Sequence, residues 1–453
     1  MKTVFCTFIS VVVLSLNVQA ANIDFSQAWY QVAQKNDALQ AKKEEVKHSE
    51  AMQQAAKSLY LPNVDITGSF THLDKPVELD TSSLAQLGGM LHPGVPFPTS
   101  VPLTNDNFGH ASLNAVLPVY TGGRITAAQD IREAQVTEAE GNYNLAERST
   151  FNQLVQYYFG VVLSEQVYQA RLDAVDALND HFEHAIKLEQ QGQIAKVERL
   201  SAQVALDNAK IEARKSLRTD EIAKLALTKM LKKQESVLPT TPLFVNNSAS
   251  SVSPYLSKTL MGHPAIQILN AKKDQANGMV TMASAKHLPE VMLYGNYSLY
   301  GDDSAAGDLL PDWMVGVGIR IPLIERSGTS SEIVAAKSKA RQVSYLRAQM
   351  EQDLTIFVEK TYAEMTQALE EYNSLASSQS LSEETVVLRK KAFSQGLSTS
   401  LDVVDAQLFA TSIRVQRLSA SYNYVKSLGQ LLAVSGEINS FMDYQQINGI
   451  EVK

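Results

Sequence analysis

The sequence has one cysteine, Cys6, among its 453 residues. Around this cysteine, Lys2 precedes an apolar run and small residues precede Ala21, which is the order of a secretory signal peptide. We therefore expect residues 1–20 to be a signal peptide that is cleaved after Ala20. The mature chain would then contain no cysteine, which excludes a disulfide, a thiolate metal site and lipid attachment to an N-terminal cysteine.

Long apolar runs are also absent. After the predicted signal peptide, the sequence has no stretch of about 18 or more apolar residues, so we predict no membrane-spanning helix. A chain of this kind can cross a bilayer only as part of a closed β-barrel. Loss of Lys2 with the signal peptide would change the formal net charge from -8 to -9, and we expect such an acidic exported chain not to bind nucleic acid.

Motifs for catalysis are missing as well. The sequence has no glycine-rich phosphate loop, zinc-ligand spacing or nucleophile elbow, so we expect neither an enzyme nor a cofactor. His181 and His184 are three residues apart, but no third metal ligand lies near them in the sequence. We interpret this pair as ordinary histidines on a helix surface and predict no metal site.

The sequence repeats itself. Tyr158 and Gly192 match Tyr362 and Gly396 at one offset of 204 residues (362 minus 158, and 396 minus 192). Further upstream, the block LPNVDITGSF at position 61 matches LPEVMLYGNY at position 288, an offset of 227 residues. An offset between matching residues that changes at only one place indicates a duplicated unit with a loop insertion.

This duplication divides the mature chain into four parts. We assign residues 21–240 to a first repeat and residues 255–440 to a second repeat. Residues 241–254 form a linker, because the surrounding stretch SVLPTTPLFVNNSASSVSP is typical of a loop. Residues 441–453 are left as a C-terminal tail.

Each repeat is predicted to fold as a helix, two strands and two further helices. The strands are expected near residues 63–71 and 109–119, and again near 290–300 and 312–322, where apolar and polar residues alternate. Segments of about ten residues with this alternation suit transmembrane strands, but a small soluble sheet packed on helices would have the same pattern.

The helices and loops follow from the distribution of proline. Residues 26–58 lack glycine and proline, which predicts a continuous helix. Residues 124–191 and 328–395 are two stretches of 68 residues without proline, and each would extend about 100 Å as a helix. Residues 71–108 contain five prolines and are predicted to be an irregular exposed loop of undetermined role, far longer than its counterpart at 301–311.

Four strands per chain cannot close a membrane barrel, because single-chain barrels begin at about eight strands. If the strands enter lipid, several copies must therefore associate. Two copies would supply eight strands, and three would supply twelve strands with room for a pore. A water-filled lumen is favoured by the polar residues on one face of the strands: Asp65, Thr67, Ser69, Asn114, Asn296 and Arg320.

The order of these blocks resembles a known family. LPNVDITGSF and LPEVMLYGNY, the strand ends VLPVYTGGR and RIPLIERSG, and the two G-x5-D/E helix starts are similar to the TolC family of outer-membrane efflux proteins over nearly the whole mature chain. The resemblance implies a mainly α protein with a membrane β-barrel. It would form a homotrimer with a twelve-stranded barrel in outer-membrane lipid and a long α-helical tunnel through the periplasm.

The resemblance also implies partners and a function. The trimer would dock onto a periplasmic adaptor and an inner-membrane transporter, and it would be the passive exit duct of a tripartite efflux or type I secretion system. The cargo stays open between drugs, metal ions and secreted protein, and the particular adaptor and pump are undetermined. The competing class is a periplasmic coiled-coil scaffold or adhesin stalk that transports nothing.

Candidate site residues lie where the second glycine turn leads into a helix. Asp402 and Asp405 would share one helix face. Taken alone, this pattern favours solvated or capping acids at a helix start, whereas the resemblance implies that both acids ring the periplasmic entrance. Three chains would then crowd six carboxylates together and raise the pKa of some of them. Glu198 holds the matching position in the first repeat and is implied to help hold the entrance closed.

The sequence departs from the family pattern near this entrance. The best-known family member has an arginine two residues after the second glycine and a tyrosine three residues before it, where this chain has Ser398 and Phe393. The same ionic latch therefore cannot form. Lys196 and Arg199 lie beside Glu198 in the sequence and are candidate substitutes.

The glycine turns themselves resemble the tips that meet the adaptor in this family. Gly192 in the first repeat and Gly396 in the second would each allow a positive φ between two helices. Gln395 and Leu397, on either side of the second glycine, are implied to contact the adaptor with it.

Overall fold

The computed structural model describes residues 21–91, 93–247, 251–301, 304, 311–323, 328–447 and 449–452. The predicted signal peptide and most of the short 301–311 connection lie outside the described residues. The chain forms two compact units. The first, here called the core unit, comprises Met1–Glu45, Glu140–Ile268 and Arg347–Lys453. The second, here called the sheet unit, comprises Val46–Ala139 and Leu269–Leu346.

The fold is mainly helical. In the described residues, the helices are α1 (Phe25–Lys35), α2 (Asp37–Lys57), α3 (Ser82–Leu91), α4 (Arg124–Gln190), α5 (Lys196–Met230), α6 (Val252–Gly262), α7 (Pro264–Ala285), α8 (Thr329–Ser394), α9 (Ser400–Ser435) and α10 (Phe441–Gln446). Short 3-10 helices occupy Ser58–Tyr60 and Ile438–Ser440. Across these described segments, none of the helices has both the length and the apolar character that a membrane span requires.

Most strands in the described residues are short. The strands are β1 (Ala21–Ile23), β2 (Asn63–His72), β3 (Glu78–Asp80), β4 (Ser100–Pro102), β5 (Asn107–Tyr120), β6 (Val237–Pro239), β7 (Phe244–Asn246), β8 (Glu290–Gly301), β9 (Trp313–Arg320) and β10 (Gly449–Glu451). The longer strands are β2, β5, β8 and β9. The four longer strands form one antiparallel sheet in the order β2-β5-β8-β9.

The two proline-free stretches are continuous helices, as predicted. α4 contains 67 residues and α8 contains 66 residues. At 1.5 Å per residue, each is about 100 Å long. Such helices need neighbours along their whole length, because an isolated helix cannot bury its own apolar stripe.

The prediction of one continuous helix over residues 26–58 is wrong. The helix breaks at Asn36, whose backbone N–H still bonds to the carbonyl of Val32 at 2.9 Å and so closes α1. The Asn36 side chain then accepts the backbone N–H of Leu39 at 3.1 Å and starts α2. In the second repeat, the corresponding break falls before Pro264, because proline disfavours helical backbone in the residue that precedes it.

The sheet keeps polar side chains on one face. Asp65, Asn114 and Asn296 are direct neighbours on β2, β5 and β8. The Asn114 side-chain amide donates to Asp65 at 3.2 Å, and the Asn296 amide donates to Asn114 at 2.7 Å. A polar row therefore crosses three strands, in agreement with the alternation in the sequence.

Apolar residues form rows on the other face of the same sheet. Ile66, Leu113, Tyr297 and Trp313 are paired in order across all four strands. All four side chains are exposed in the single chain. An exposed apolar surface of this extent is typical of a region that contacts lipid or another protein.

The linker is part of the core unit, and its prediction as a loop is wrong. β6 pairs in parallel with β1, and β7 pairs antiparallel with β10. Four residues of the stretch 236–254, which contains the linker, are completely buried: Val237, Leu243, Phe244 and Val245. The prolines and small polar residues of this stretch predict a loop, but the triplets Val237–Pro239 and Phe244–Asn246 are long enough for short strands.

The residues expected to form a C-terminal tail also belong to this core. α10 begins at Phe441, which is buried against Phe25, Phe151 and Phe244 at ring-centroid distances between 4.9 and 5.9 Å. Burial of each phenylalanine contributes about 1.5–3 kcal/mol to the stability of the fold. The second end of the chain is therefore fixed to the first through an aromatic cluster.

The connection between β2 and β5 is not irregular, contrary to the prediction. It contains the two-stranded sheet β3-β4 and helix α3. The Thr81 hydroxyl donates to the carbonyl of Pro98 at 2.6 Å, and the Thr81 N–H donates to the carbonyl of Thr99 at 2.9 Å. Its prolines lie outside the helix, and the connection is exposed as expected.

Candidate functional site at the helical turns

The two turns that connect the long helices have the same backbone geometry. In the first turn, the N–H groups of Gly192 and Gln193 bond to the carbonyls of Glu189 and Leu188, each at 2.9 Å. The second turn repeats both bonds, at 3.0 and 2.9 Å, around Gly396. The φ angles of the two glycines are 70° and 72°. This pattern ends a helix with a left-handed residue, a conformation that glycine adopts without strain.

Residues at the second turn project into solvent. Gln395 and Gly396 are exposed, and Leu397 has 77% of its surface accessible. An apolar side chain this exposed at a helix tip is available to contact another protein. Gly192 at the first turn is exposed in the same way.

Asp402 caps the start of α9. The Thr399 side chain accepts the backbone N–H of Asp402 at 3.2 Å, and one Asp402 carboxylate oxygen accepts the Thr399 N–H at 2.8 Å. The hydroxyl groups of Thr399 and Ser398 donate to the same oxygen at 2.8 and 3.0 Å. The reciprocal bonds satisfy donors that the first turn of a helix leaves unpaired. Ser398 thus supports a cap where the family pattern has an arginine.

These hydrogen bonds set the acidity of Asp402. The backbone N–H of Thr399, followed by the hydroxyls of Thr399 and Ser398, lowers the pKa of the Asp402 carboxyl. Arg389 on α8 adds a weaker attraction at 3.7 Å. In the single chain, this direction is opposite to the increase expected from crowded acids.

Asp405 lies one turn further along α9 and is exposed. Asp402 is only half-exposed because of its cap. The two acids therefore differ, although the sequence treats them as a pair: one fixes the helix start and the other faces solvent.

Glu198 connects the two repeats. One of its carboxylate oxygens accepts the backbone N–H of Ser400, the first residue of α9, at 2.7 Å. Glu198 itself lies in the first turn of α5, where the N-cap residue Ala195 makes no side-chain capping bond. The acid of the first repeat thus caps the helix of the second repeat, and a carboxylate is favoured at that positive helix end.

His181 reinforces the same junction, so its assignment to a helix surface is wrong. It lies on α4 with 5% of its surface exposed, and its Nε2 is hydrogen-bonded to the Ser400 hydroxyl at 2.8 Å. Its ring packs edge-on against Phe393 with 4.7 Å between centroids. Burial, with smaller contributions from Lys390 and His184, lowers the pKa of His181 to about 4.

Among the described residues, the candidate latch residues beside Glu198 form no ion pair between the repeats. Arg199 forms an ion pair with Glu189, the residue that precedes the first glycine turn by three positions. This pair holds together the two arms of the first hairpin. Lys196 is exposed at the start of α5. A different ion pair does connect the repeats further along, between Arg414 of α9 and Asp173 of α4 at 2.7 Å.

Small residues allow α9 to approach the first hairpin. Ala185 and Ala202 are completely buried with Val403 and Phe393 in one cluster. A neighbouring cluster contains Leu178, Ala205, Leu206, Ala209 and Val404. Because alanine has no side chain beyond Cβ, the helix backbones come close enough for the Glu198 and His181 bonds to form.

Ser400 and His181 are the site residues that sequence reasoning did not identify. The capping part of the arrangement has a sequence signal, because Thr399 is followed three residues later by Asp402. The contact of His181 with Ser400 has none, because 219 residues separate them.

Comparison with known proteins identifies the family. The model of the family described as outer membrane efflux protein matches residues 28–231 and 255–437, which lie within the two predicted repeats. Outer membrane protein TolC of Vibrio cholerae serotype O1 is 23% identical over 344 residues, which cover 71% of this chain and 76% of that protein.

Solved structures share the fold at low sequence identity. CusC superposes with a TM-score of 0.75 at 15% identity, covering 92% of this chain and 93% of the other. The outer membrane protein VceC of Vibrio cholerae superposes with a TM-score of 0.73 at 15% identity, covering 91% and 96%. The chain belongs to the outer membrane efflux protein family, and it is an outer-membrane channel of a tripartite efflux system that extends into the periplasm.

Proposed function

We propose that three copies of this chain join their sheets into one twelve-stranded barrel and serve as a passive exit duct. The observation that carries this proposal is the sheet itself. In the part of the chain that the structure describes, β2 and β9 each pair on one side only. An open strand edge in lipid would leave backbone groups without partners at a cost of several kcal/mol each. Pairing of β9 with β2 of the next copy removes both edges.

The face polarity supports the same assembly. The apolar rows that contain Ile66 and Trp313 suit contact with outer-membrane lipid, and the polar row that contains Asp65 and Asn114 suits a wet lumen. The closed cylinder would let cargo leave without crossing lipid. Energy would come from an inner-membrane transporter, and a periplasmic adaptor would connect the two, since channels of this family work with both.

Gel migration tests this assembly. An unheated sample of the outer-membrane fraction should migrate as a trimer and a boiled sample as a monomer. Cysteines introduced together at Ile66 on β2 and Val317 on β9 lie on the apolar face of the two edge strands and should allow disulfide-linked chains to be detected after boiling. A chain that stays monomeric in detergent and forms no linked species would refute the trimer.

Glu198, Asp402 and Asp405 form the proposed periplasmic entrance gate. Glu198 would hold α9 against the first hairpin through its bond to Ser400. Asp405, which is exposed, would contribute charge to the ring of six acids, while Asp402 would also keep its helix start in place. Such a ring of carboxylates attracts divalent cations.

Single-channel recording in planar bilayers separates the two acids. Asp405→Ala should weaken block by divalent cations while the trimer stays intact. Asp402→Ala should weaken block and also loosen the start of α9. Unchanged block in both variants would remove these residues from the gate.

The exposed turns are the proposed adaptor contacts. Gly192 and Gly396 would set the turn geometry, and Gln395 and Leu397 would touch the adaptor directly. Replacement of Leu397 with Asp should reduce copurification of the adaptor without changing trimer yield. The cargo class can be found by deletion of the gene, followed by tests for sensitivity to toxic compounds and for missing secreted proteins.

A further inference from the structure

Helix α3 presents an apolar face to solvent. Its ten residues include no aspartate, glutamate, lysine or arginine. Leu84, Leu87 and Leu91 follow helical spacing on one face, and Met90 lies beside them. These four side chains have between 58% and 81% of their surface exposed. A single exposed leucine is ordinary, but a continuous stripe on one helix indicates a contact surface.

This apolar face is held in place by the rest of the connection. The Phe97 ring lies so close to Gly88 that a Cβ atom at Gly88 would be 2.7 Å from it. The two hydrogen bonds of Thr81 and the paired strands β3 and β4 fix both arms that carry the helix. The leucines therefore point outward from an ordered structure.

The position of α3 follows from the connectivity of the sheet unit. β2 begins directly after the helical residues Ser58–Tyr60, and β5 ends directly before α4. The connection that holds α3 therefore lies at the other end of these strands. Since the helices of this channel extend into the periplasm, α3 lies on the external side. β2 is also an edge strand, so the connection starts next to the proposed contact with the next copy.

We propose that the apolar faces of three α3 helices pack against each other and form a lid over the external mouth of the channel. This proposal rests on the trimer proposed above. Three-fold symmetry places the same helix three times around one axis, so the apolar face of each copy can be turned toward that axis and buried there. The ten residues of α3 carry no charge, so the apolar contact itself brings no like charges together, and the acids of the connection lie outside the helix.

A lipid surface fits these observations less well. Helices that lie on anionic membrane surfaces usually carry lysine or arginine on their polar face. The polar face of α3 carries serine and glutamine. The residues from 72 to 106 include four acids, Asp74, Glu78, Asp80 and Asp106, against one base, Lys75, which gives a net charge of -3. Acidic side chains at this position would be repelled by anionic headgroups.

The lid would give the channel a second barrier in addition to the proposed periplasmic gate. A narrow apolar constriction stops ions and small polar solutes because water leaves it. Outward movement of cargo would have to separate the three helices, whereas solutes from outside would meet a dry seal.

Disulfide crosslinking tests the lid in assembled channels. Cys6 lies in the predicted signal peptide, so an introduced cysteine is the single thiol of the mature chain. Leu87→Cys should form linked dimers on oxidation of outer-membrane fractions, because one pair can form among three thiols. The matched control, Gln86→Cys, is exposed on the polar side of the same helix and should form few. Equal crosslinking by both variants, or none by Leu87→Cys, would overturn the lid.

Two additional measurements distinguish failure of the proposed lid from failure of the proposed trimer. Unheated gels should show a trimer for both variants, and a missing trimer in the wild-type chain would instead refute the proposed assembly. A nitroxide attached at position 87 should show magnetic coupling between chains. Strong relaxation by dissolved oxygen without such coupling would show that α3 lies in lipid, which overturns the lid while the trimer stands.

Discussion

The carboxylate of Glu198 accepts the backbone N–H of Ser400 at 2.7 Å, although 202 residues separate them in the sequence. Glu198 is the third residue of α5, and Asp402 is the third residue of α9. The two acids thus hold equivalent positions in the two repeats. Asp402 caps its own helix, whereas Glu198 caps the helix of the other repeat. This difference turns a duplicated capping residue into a link between the two hairpins.

Loss of this link should open the channel. A hydrogen bond from a backbone N–H to a carboxylate contributes about 1.5–3 kcal/mol, and half-exposure of Glu198 reduces this to about 1–2 kcal/mol. We therefore expect Glu198→Ala to raise the open probability in planar bilayers about tenfold. Glu198→Gln keeps an acceptor and should have a smaller effect.

The matched control for this prediction is Glu189→Ala. Glu189 is also a glutamate near the first turn, but it pairs with Arg199 inside one hairpin. Its loss should leave the open probability unchanged. An equal increase in both variants would mean that general loosening of the tip, and not the bond to Ser400, controls opening.

The junction should weaken in acid because of His181. Burial lowers the pKa of His181 from 6.5 to about 4, so the folded chain resists a proton that the unfolded chain accepts. Above pH 6.5, His181 is neutral in both states, and the free energy of unfolding has its full value. As the pH falls from 6.5 toward 4, the unfolded chain binds the proton first, so the free energy of unfolding decreases. At pH 5, the expected loss is about 2 kcal/mol.

Hydrogen exchange at the start of α9 measures this effect. In the wild-type chain, protection of residues 400–406 should decrease between pH 7 and pH 5 after correction for intrinsic exchange. The His181→Gln variant cannot take up this proton, and its protection should change less. The same pH dependence in both chains would exclude His181 as the cause.

The second glycine turn should tolerate asparagine better than valine. Gly396 has a φ of 72° and nothing within 4 Å of an added Cβ atom, so a substitution there is opposed by backbone strain and not by a clash. This strain costs about 1–2 kcal/mol for an ordinary residue and less for asparagine. Gly396→Val should therefore impair efflux, measured as growth in a toxic compound, while Gly396→Asn should retain most of it.

Assembly distinguishes a local effect from misfolding in this pair. Both variants should give the wild-type amount of trimer on an unheated gel, because the turn lies at the end of its hairpin and is exposed. A large loss of trimer in Gly396→Val would show that the turn is needed for folding.

The linker between the repeats should be as sensitive to substitution as the rest of the core. Phe244 is completely buried, and its ring contacts Phe159 and Phe441. Phe244→Ala should lower the free energy of unfolding by about 3–5 kcal/mol, measured by urea denaturation. The control Ile447→Ala removes an exposed apolar side chain directly after α10, the helix whose Phe441 contacts Phe244, and should change the free energy of unfolding little. Similar losses in both variants would contradict the role of the linker in the core.

Local patterns in the sequence determined the elements of this protein. The absence of proline over 124–191 and 328–395 predicted α4 and α8, and alternation of polar and apolar residues predicted the four long strands. These features depend on residues within one or two turns or strands, so they can be read without knowledge of the fold. The glycine turns are local in the same sense, and the repeat is visible because its two copies can be compared directly within the sequence.

Tertiary structure alone decided what those elements contact. The burial of His181, the bond from Glu198 to Ser400 and the pairing of β7 with β10 join residues that are about 200 positions apart. The short strands β6 and β7, in the stretch 236–254, gave no periodic signal, because strands of three residues are too brief to show one. Such contacts are fixed by the packing of the whole core unit, where the free energy of burial outweighs the weak preferences of each short segment.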